Sequence, residues 1–260
     1  KAGFNVSKGK TLVLGSGGSS VMARAALRDL GAKDVVVISR SGENNYSNIY
    51  DLHSDASFIV NTTPIGMYPK NGFAAVDLER FDSCLGVIDI IFNPSKTKLL
   101  LDAERLGIPC INGLPMLVAQ AKQAFELFTS QISVDGLSSE ASSLDGLSVA
   151  EIIDGITAQI EFMTKNIVLI GMPGCGKSTV GAVLATKLSR DFVDIDLEIE
   201  KRINMSICDF FAEYGEPAFR KIESEILDEF SRKSGLIIAT GGGVIKNPLN
   251  HQLIKQNAVI

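Results

Sequence analysis

The chain has 260 residues, 45% of them apolar and 21% charged, which places it with globular proteins rather than disordered or fibrous ones. It carries 25 lysines and arginines against 30 acidic residues, a net charge of −5. Neither residues 1–164 nor the remainder is basic, which speaks against a nucleic-acid partner. The longest apolar runs are strand-sized, far short of the roughly 20 residues that cross a bilayer, so no membrane partner is expected. Cys84, Cys110, Cys175 and Cys208 lack the paired spacing of a disulfide framework or a zinc site, and a cytoplasmic location fits best. His53 and His251 sit in no recognisable setting and are expected at the surface. At about 150 residues per domain, two domains are expected.

Residues 10–128 alternate short β-branched runs with helical segments, the pattern of a parallel sheet covered on both faces. Strand Thr11 to Leu14 runs into GSGGSS and then a helix from Val21 to Leu30. Gly15 and Gly17 permit a tight turn and close approach of a pyrophosphate to the helix N-terminus, with Ser16, Gly18 and Ser19 completing the loop. The third fingerprint position holds Ser20 instead of glycine, which weakens the motif. The next strand, VVVI, ends in Ser39, Arg40 and Ser41 rather than in an acid that would bond a ribose 2′-hydroxyl. An arginine there accommodates a 2′-phosphate, so NADP is favoured over NAD, the alternative for Arg40 being an ordinary loop cation. Further strands are expected at Phe58 to Asn61 and Val87 to Ile91, with a helix from Thr97 to Leu106.

Residues 131–148 hold six serines without sustained periodicity and are expected to form a loop. From Val149 to Met163 apolar residues recur at helical spacing, and this helix is expected to close the first domain near residue 164. The second domain, 165–260, starts with a strand at Asn166 to Ile170 followed by GMPGCGKST and a helix, a phosphate-binding loop in its required context. Gly174 and Gly176 let backbone N–H groups turn toward phosphates, Lys177 adds a mobile charge, Ser178 can hold Mg²⁺, and Cys175 and Thr179 complete the cradle. Cys175 reads as a small loop filler rather than a redox centre.

Asp194 and Asp196 are expected at the end of strand FVDID, on one face and at the carboxyl edge, where two carboxylates can hold Mg²⁺ waters and orient a hydroxyl for in-line attack. The plainer alternative is a helix N-cap beside a solvated neighbour. Arg220 in YGEPAFRKIE has a planar fork suited to a carboxylate, or pairs within its helix with Glu216 or Glu223. Strand LIIAT then runs into Gly241 to Gly243, which permit close approach to a small ligand.

GMPGCGKST, DID, GEPAFRKIE and ATGGG resemble, in order and spacing, the amino-terminal part of shikimate kinase. That likeness implies that Asp196, Arg220 and Gly242 bind shikimate and that Ser178 and Asp194 manage Mg²⁺, with ATP as phosphoryl donor. It also implies that Lys177 neutralises developing charge while Asp196 orients the nucleophile. GSGGSS and SRS, with NTTPIGM, DIIFNPSKTKLL and NGLPMLVAQAKQAF, are similar to the NADP-binding domain of shikimate dehydrogenase. By that likeness Gly113 and Met116 adjoin the nicotinamide, Thr62 lies near NADP(H), and Gln120 reaches the substrate. Without the likeness, Met116 reads as core and Gln120 as a solvated helix position. Phe92 stands where that family commonly has tyrosine, which removes a polar contact.

The resemblance therefore implies an α/β chain with a Rossmann-type domain followed by a P-loop kinase domain truncated at its carboxyl end. Joined, they would reduce 3-dehydroshikimate to shikimate with NADPH and phosphorylate shikimate at its 3-hydroxyl with ATP, two steps of aromatic amino acid biosynthesis. The dehydrogenase family's acid-base lysine and aspartate belong to an amino-terminal domain that would precede Lys1, and the kinase lid would follow Ile260. The chain is thus expected to be a fragment, with little turnover alone. A second reading is a regulatory or scaffold protein that binds NADP and ATP without chemistry. A third keeps both enzymes but exchanges shikimate for quinate or another small alcohol.

Overall fold

A computed structural model describes residues 4–130 and 149–260. The serine-rich stretch at 131–148, expected to be a loop, lies outside the described residues. Two wholly parallel sheets organise the rest, as the alternating strand and helix patterns require.

The first sheet comprises β1 (Lys10–Leu14), β2 (Asp34–Ile38), β3 (Phe58–Asn61), β4 (Gly86–Asp89) and β5 (Cys110–Ile111), in the order β2-β1-β3-β4-β5. Its helices are α1 (Gly18–Asp29), the short α2 (Ile49–His53), α3 (Lys98–Arg105) and α4 (Leu114–Ser130), with α5 (Val149–Thr164) following the undescribed stretch. Strand residues alternate between two cores, as period-two geometry demands. Leu12, Leu14, Ile38, Ile59 and Val87 pack with Ile49 and with Leu99 and Leu100 of α3. Val13, Phe58 and Val60 pack with Ala23 and Leu27 of α1 on the opposite face. With both faces covered, the strands read as nearly continuous apolar runs.

The chain leaves β1 toward β2 on one side and returns to β3 on the other. The switch point between β1 and β3, where doubly wound sheets bind ligands, therefore lies beside the glycine loop after Leu14. Helix α1 begins three residues earlier than expected, at Gly18, so its first turn includes part of the loop itself.

The second sheet comprises β6 (Asn166–Leu169), β7 (Phe192–Asp194), β8 (Ile237–Ala239) and β9 (Ala258–Val259), in the order β7-β8-β6-β9. Between them lie α6 (Lys177–Leu188), α7 (Ile195–Ile203), α8 (Ile207–Ser231) and α9 (Pro248–Asn257). Val168, Ile238, Ile195, Ile199, Ile226, Leu227 and Ile254 form its core. The last strand, β9, sits at the sheet edge beside β6, with Val259 and Ile260 more than half exposed. Gln256 and Asn257 at the end of α9 meet the first unit: Asn71 donates to the Gln256 side chain at 2.6 Å, and the Ser95 N–H to Asn257 Oδ1 at 2.7 Å.

His53 corrects the surface expectation, since it is buried in α2 with Nε2 2.9 Å from Asn44 Oδ1. His251 is exposed as expected. Among the described residues no helix is long and apolar enough to cross a membrane.

Gly113, between β5 and α4, has a packing reason of its own. A Cβ there would lie 1.9 Å from the Ile90 carbonyl oxygen, a backbone atom that cannot swing aside. Gly113→Ala should therefore lower the free energy of unfolding by about 1–3 kcal/mol, measured by urea denaturation.

Candidate functional sites at two sheet edges

In the second unit the phosphate loop spans Gly171 to Gly176. Gly171, Gly174 and Gly176 have φ of 154°, 75° and 85°, a region closed to most L-residues, which explains glycine at each. Gly176 caps α6 with no side-chain hydrogen bond, so the first-turn N–H groups of that helix are left to face an anion. Lys177 curls back over the loop, its Nζ donating to the carbonyls of Gly171 at 2.9 Å and Met172 at 2.8 Å. Cys175 is exposed and Thr179 lies in the first turn of α6.

Ser178 and Asp194 come together as expected, Ser178 Oγ donating to Asp194 Oδ2 at 2.5 Å. The FVDID strand is corrected: β7 stops at Asp194, and Asp196 sits in the first turn of α7. Asp194 Oδ1 accepts from the Asp196 N–H at 3.0 Å, so this carboxylate is an N-cap and a partner of Ser178 at once. A helix turn instead of strand alternation places Asp196 beside the glycines that follow β8. Burial first, and then the neighbouring Asp194 charge, raise its pKa.

Arg220 reaches the same place through a break in α8. Gly215 has φ 78° and ψ 172° and Pro217 follows, so the helix restarts on a new axis. Both alternatives for Arg220 hold together, because it bonds Glu216 Oε1 through Nε and Nη2 at 3.1 and 3.0 Å and Glu223 Oε2 through Nη1 at 2.8 Å. Glu223 is a site residue that the sequence reading used only as a possible helix partner. It is wholly buried, its other oxygen has no hydrogen-bond partner, and burial raises its pKa despite the pull of Arg220. Its signal was the three-residue spacing from Arg220.

The three glycines after β8 join these parts. A Cβ on Gly241 would lie 2.7 Å from Asp196 Oδ1 and 3.0 Å from Glu223 Oε1, one on Gly242 2.4 Å from Pro173 Cδ, and one on Gly243 2.3 Å from Arg220 Nη2. Asp196, Glu223, Arg220 and the glycine-rich loop thus converge on a backbone that has room for no side chain.

In the first unit, Gly15 has φ 104°, and a Cβ there would meet Thr62 Oγ1 and Thr63 Cγ2, each at 3.0 Å. Thr62 Oγ1 donates to the Leu14 carbonyl at 2.6 Å, fixing the end of β3 beside the glycine turn. Ser16, Gly17, Gly18 and Ser19 are exposed, and Gly17 caps α1 without a side-chain bond. Ser20, the departure from the glycine fingerprint, is buried with its hydroxyl unpartnered. Arg40 and Ser41 are exposed beyond β2, with Ser39 half-buried. Met116 is half-buried and Gln120 exposed on α4, and Phe92 is exposed after β4. Within β4 itself, Asp89 is wholly buried, and desolvation pushes its pKa up to about 6.

Residues 173–260 match the family model for shikimate kinase. Among curated relatives, shikimate kinase from Prochlorococcus marinus (strain MIT 9211) is 48% identical over 96 residues, which are 37% of this chain and 49% of that kinase. Shikimate kinase from Clostridium botulinum (strain Eklund 17B / Type B) is 45% identical over 98 residues, 38% of this chain and 59% of the kinase. The chain thus spans about half the length of these curated relatives. Among solved structures, a chorismate mutase/shikimate 5-dehydrogenase fusion protein from Clostridium acetobutylicum gives 33% identity and a TM-score of 0.48 over 58% of this chain and 52% of that one. Shikimate kinase from Acinetobacter baumannii in complex with shikimate gives 38% identity and a TM-score of 0.37 over 39% of this chain and 57% of that one.

Two outcomes test this geometry. Glu223→Ala removes one of the two carboxylates that hold Arg220, which keeps Glu216, and should cost about 1.5–3 kcal/mol of unfolding free energy, measured by urea denaturation. The folded chain keeps a proton on Asp89 up to about pH 6, whereas an unfolded one releases it near 3.8. The stability of the wild type relative to Asp89→Asn should therefore rise as pH falls from 6 toward 4 and then level off, measured by urea unfolding across that range.

Proposed function

We propose that the chain divides near residue 164 into a dinucleotide-binding unit of a shikimate dehydrogenase and a phosphoryl-transfer unit of a shikimate kinase. The observation that carries the kinase reading is the convergence on Gly241 to Gly243: a phosphate loop, two carboxylates and an arginine meet where only backbone fits. The open cap of α6 suits the phosphates of ATP, and the Ser178–Asp194 pair offers oxygen ligands of the kind Mg²⁺ takes. Bound Mg²⁺ would neutralise phosphate charge.

The chain's own residues do the rest. Lys177 turns from the loop carbonyls to the β- and γ-phosphates. Arg220, held in register by Glu216 and Glu223, presents its guanidinium edge to the shikimate carboxylate. Asp196 accepts a hydrogen bond from the 3-hydroxyl and orients it for in-line attack, with Gly242 closing the pocket through its backbone.

For the first unit, the glycine turn at Gly15 to Ser19 and the open cap of α1 support binding of a pyrophosphate. Arg40 with Ser39 and Ser41 favours the 2′-phosphate of NADP, whose reduced form supplies hydride for converting 3-dehydroshikimate to shikimate. Thr62, Gly113 and Met116 would flank the cofactor, and Gln120 would reach toward substrate. A non-catalytic NADP and ATP sensor is the competing reading, but it leaves Asp196, Arg220 and Glu223 without a task.

Calorimetry on the chain tests both units. Shikimate should bind, and Arg220→Ala should weaken it by about 1.5–3 kcal/mol through loss of a charged hydrogen bond, whereas unchanged affinity would refute the carboxylate assignment. In the first unit, Arg40→Ala should weaken NADP while leaving NAD affinity as it was.

A further inference from the structure

The walls of the first site are tied together by a carboxylate that the assignments above do not use. Asp89 closes β4, wholly buried. Its Oδ1 accepts from Asn61 Nδ2 at 3.0 Å and from the Ile91 N–H at 3.1 Å, and its Oδ2 accepts from the Thr97 hydroxyl at 2.6 Å. The arrangement continues outward. Asn61 Oδ1 accepts from the Thr63 N–H at 3.1 Å and from the Thr63 hydroxyl at 2.7 Å, while Asn61 Nδ2 also donates to the Ile65 carbonyl at 3.3 Å. Thr62 and Thr63 in turn fill the space where a Gly15 side chain would stand. On the other side, the Ile91 carbonyl accepts from the Gly113 N–H at 3.0 Å, at the entry to α4.

One buried group thereby joins the loop after β3, the loop after β4 and, through each, the glycine turn and the start of α4. An ionised carboxylate is a costly choice for this place if packing alone were at stake, since an apolar residue would fill the volume without desolvation. What it provides is three acceptor bonds at fixed angles, to the end of β3 at Asn61, to the loop after β4 at Ile91 and to the N-cap of α3 at Thr97.

We infer that Asp89 is a positioning residue for dinucleotide binding: it holds the Asn61–Thr63 turn against the glycine loop and so sets the shape of the pocket that receives the cofactor. This inference rests on the dinucleotide reading of the first unit. Asn at position 89 keeps a carbonyl for Asn61 and Ile91 and presents its amide to the Thr97 oxygen, whereas Ala removes the acceptor of all three donors and leaves Asn61 Nδ2 only its longer bond to the Ile65 carbonyl.

The test is NADP titration of the full chain by calorimetry at a temperature where circular dichroism shows each variant folded. Asp89→Ala should weaken NADP about tenfold. Asp89→Asn should stay within about threefold of wild type, and Leu99→Ala, a destabilising change in the core outside this network, should bind as wild type does. Equal affinity in Asp89→Ala, or an equal loss in Leu99→Ala, would overturn the inference. Should Asp89→Ala not fold, Thr63→Val, which removes the hydroxyl that bonds Asn61 Oδ1 and the Ile65 N–H while keeping the backbone bond to Asn61, decides: weakening supports the inference and wild-type affinity overturns it. Absence of NADP binding by the wild type itself would instead defeat the dinucleotide reading on which the inference stands.

Discussion

Parallel strands place all their carboxyl ends on one edge of a sheet, and every helix that follows a strand there begins with N–H groups lacking intrahelical acceptors. Both sheets of this chain follow that constraint, and both candidate sites are its consequence. After β1 and after β6 the chain turns through glycines into a helix whose cap offers no side-chain acceptor of its own. The unsatisfied donors and the aligned peptide dipoles favour a negative ligand before any charged side chain is counted.

Selectivity comes from what neighbouring strands deliver to the same edge. In the second unit β7 ends at Asp194 and β8 at the three glycines, and the two strands are adjacent, so segments some fifty positions apart in the chain meet within bonding distance. The break at Gly215 and Pro217 then aims Arg220 inward, which a continuous α8 would not require. Glu223 below it acts as counterion and as spacer, and its unpartnered oxygen leaves one acceptor in a place where a ligand hydroxyl or a water would be satisfied.

The glycine turns and their flanking strands were legible because they are local: a strand, a few obligatory glycines and a helix leave a contiguous signature. The parallel sheets followed from alternation, and α1 and β7 differed from expectation only at their ends, which periodicity does not decide: Asp194 caps α7 through its side chain, and α1 starts inside the glycine loop at Gly18. Asp196 shows the limit. Two aspartates separated by one residue fit either strand alternation or a helix entrance, and the bond from Asp194 to the Asp196 N–H selects the second. His53 and Asp89 were not legible at all as buried groups. Their partners Asn44, Asn61 and Thr97 are drawn in by packing, and nothing in the flanking sequence announces that a polar side chain there faces inward.

The posture of Lys177 has a bearing on how such a loop can engage an anion. Because its ammonium already rests on the carbonyls of Gly171 and Met172, the side chain is held over the loop, and part of its rotamer entropy is lost on folding rather than on binding. An anion held in the loop would offer that ammonium a charged acceptor in exchange for two neutral ones, without first having to capture a freely waving chain.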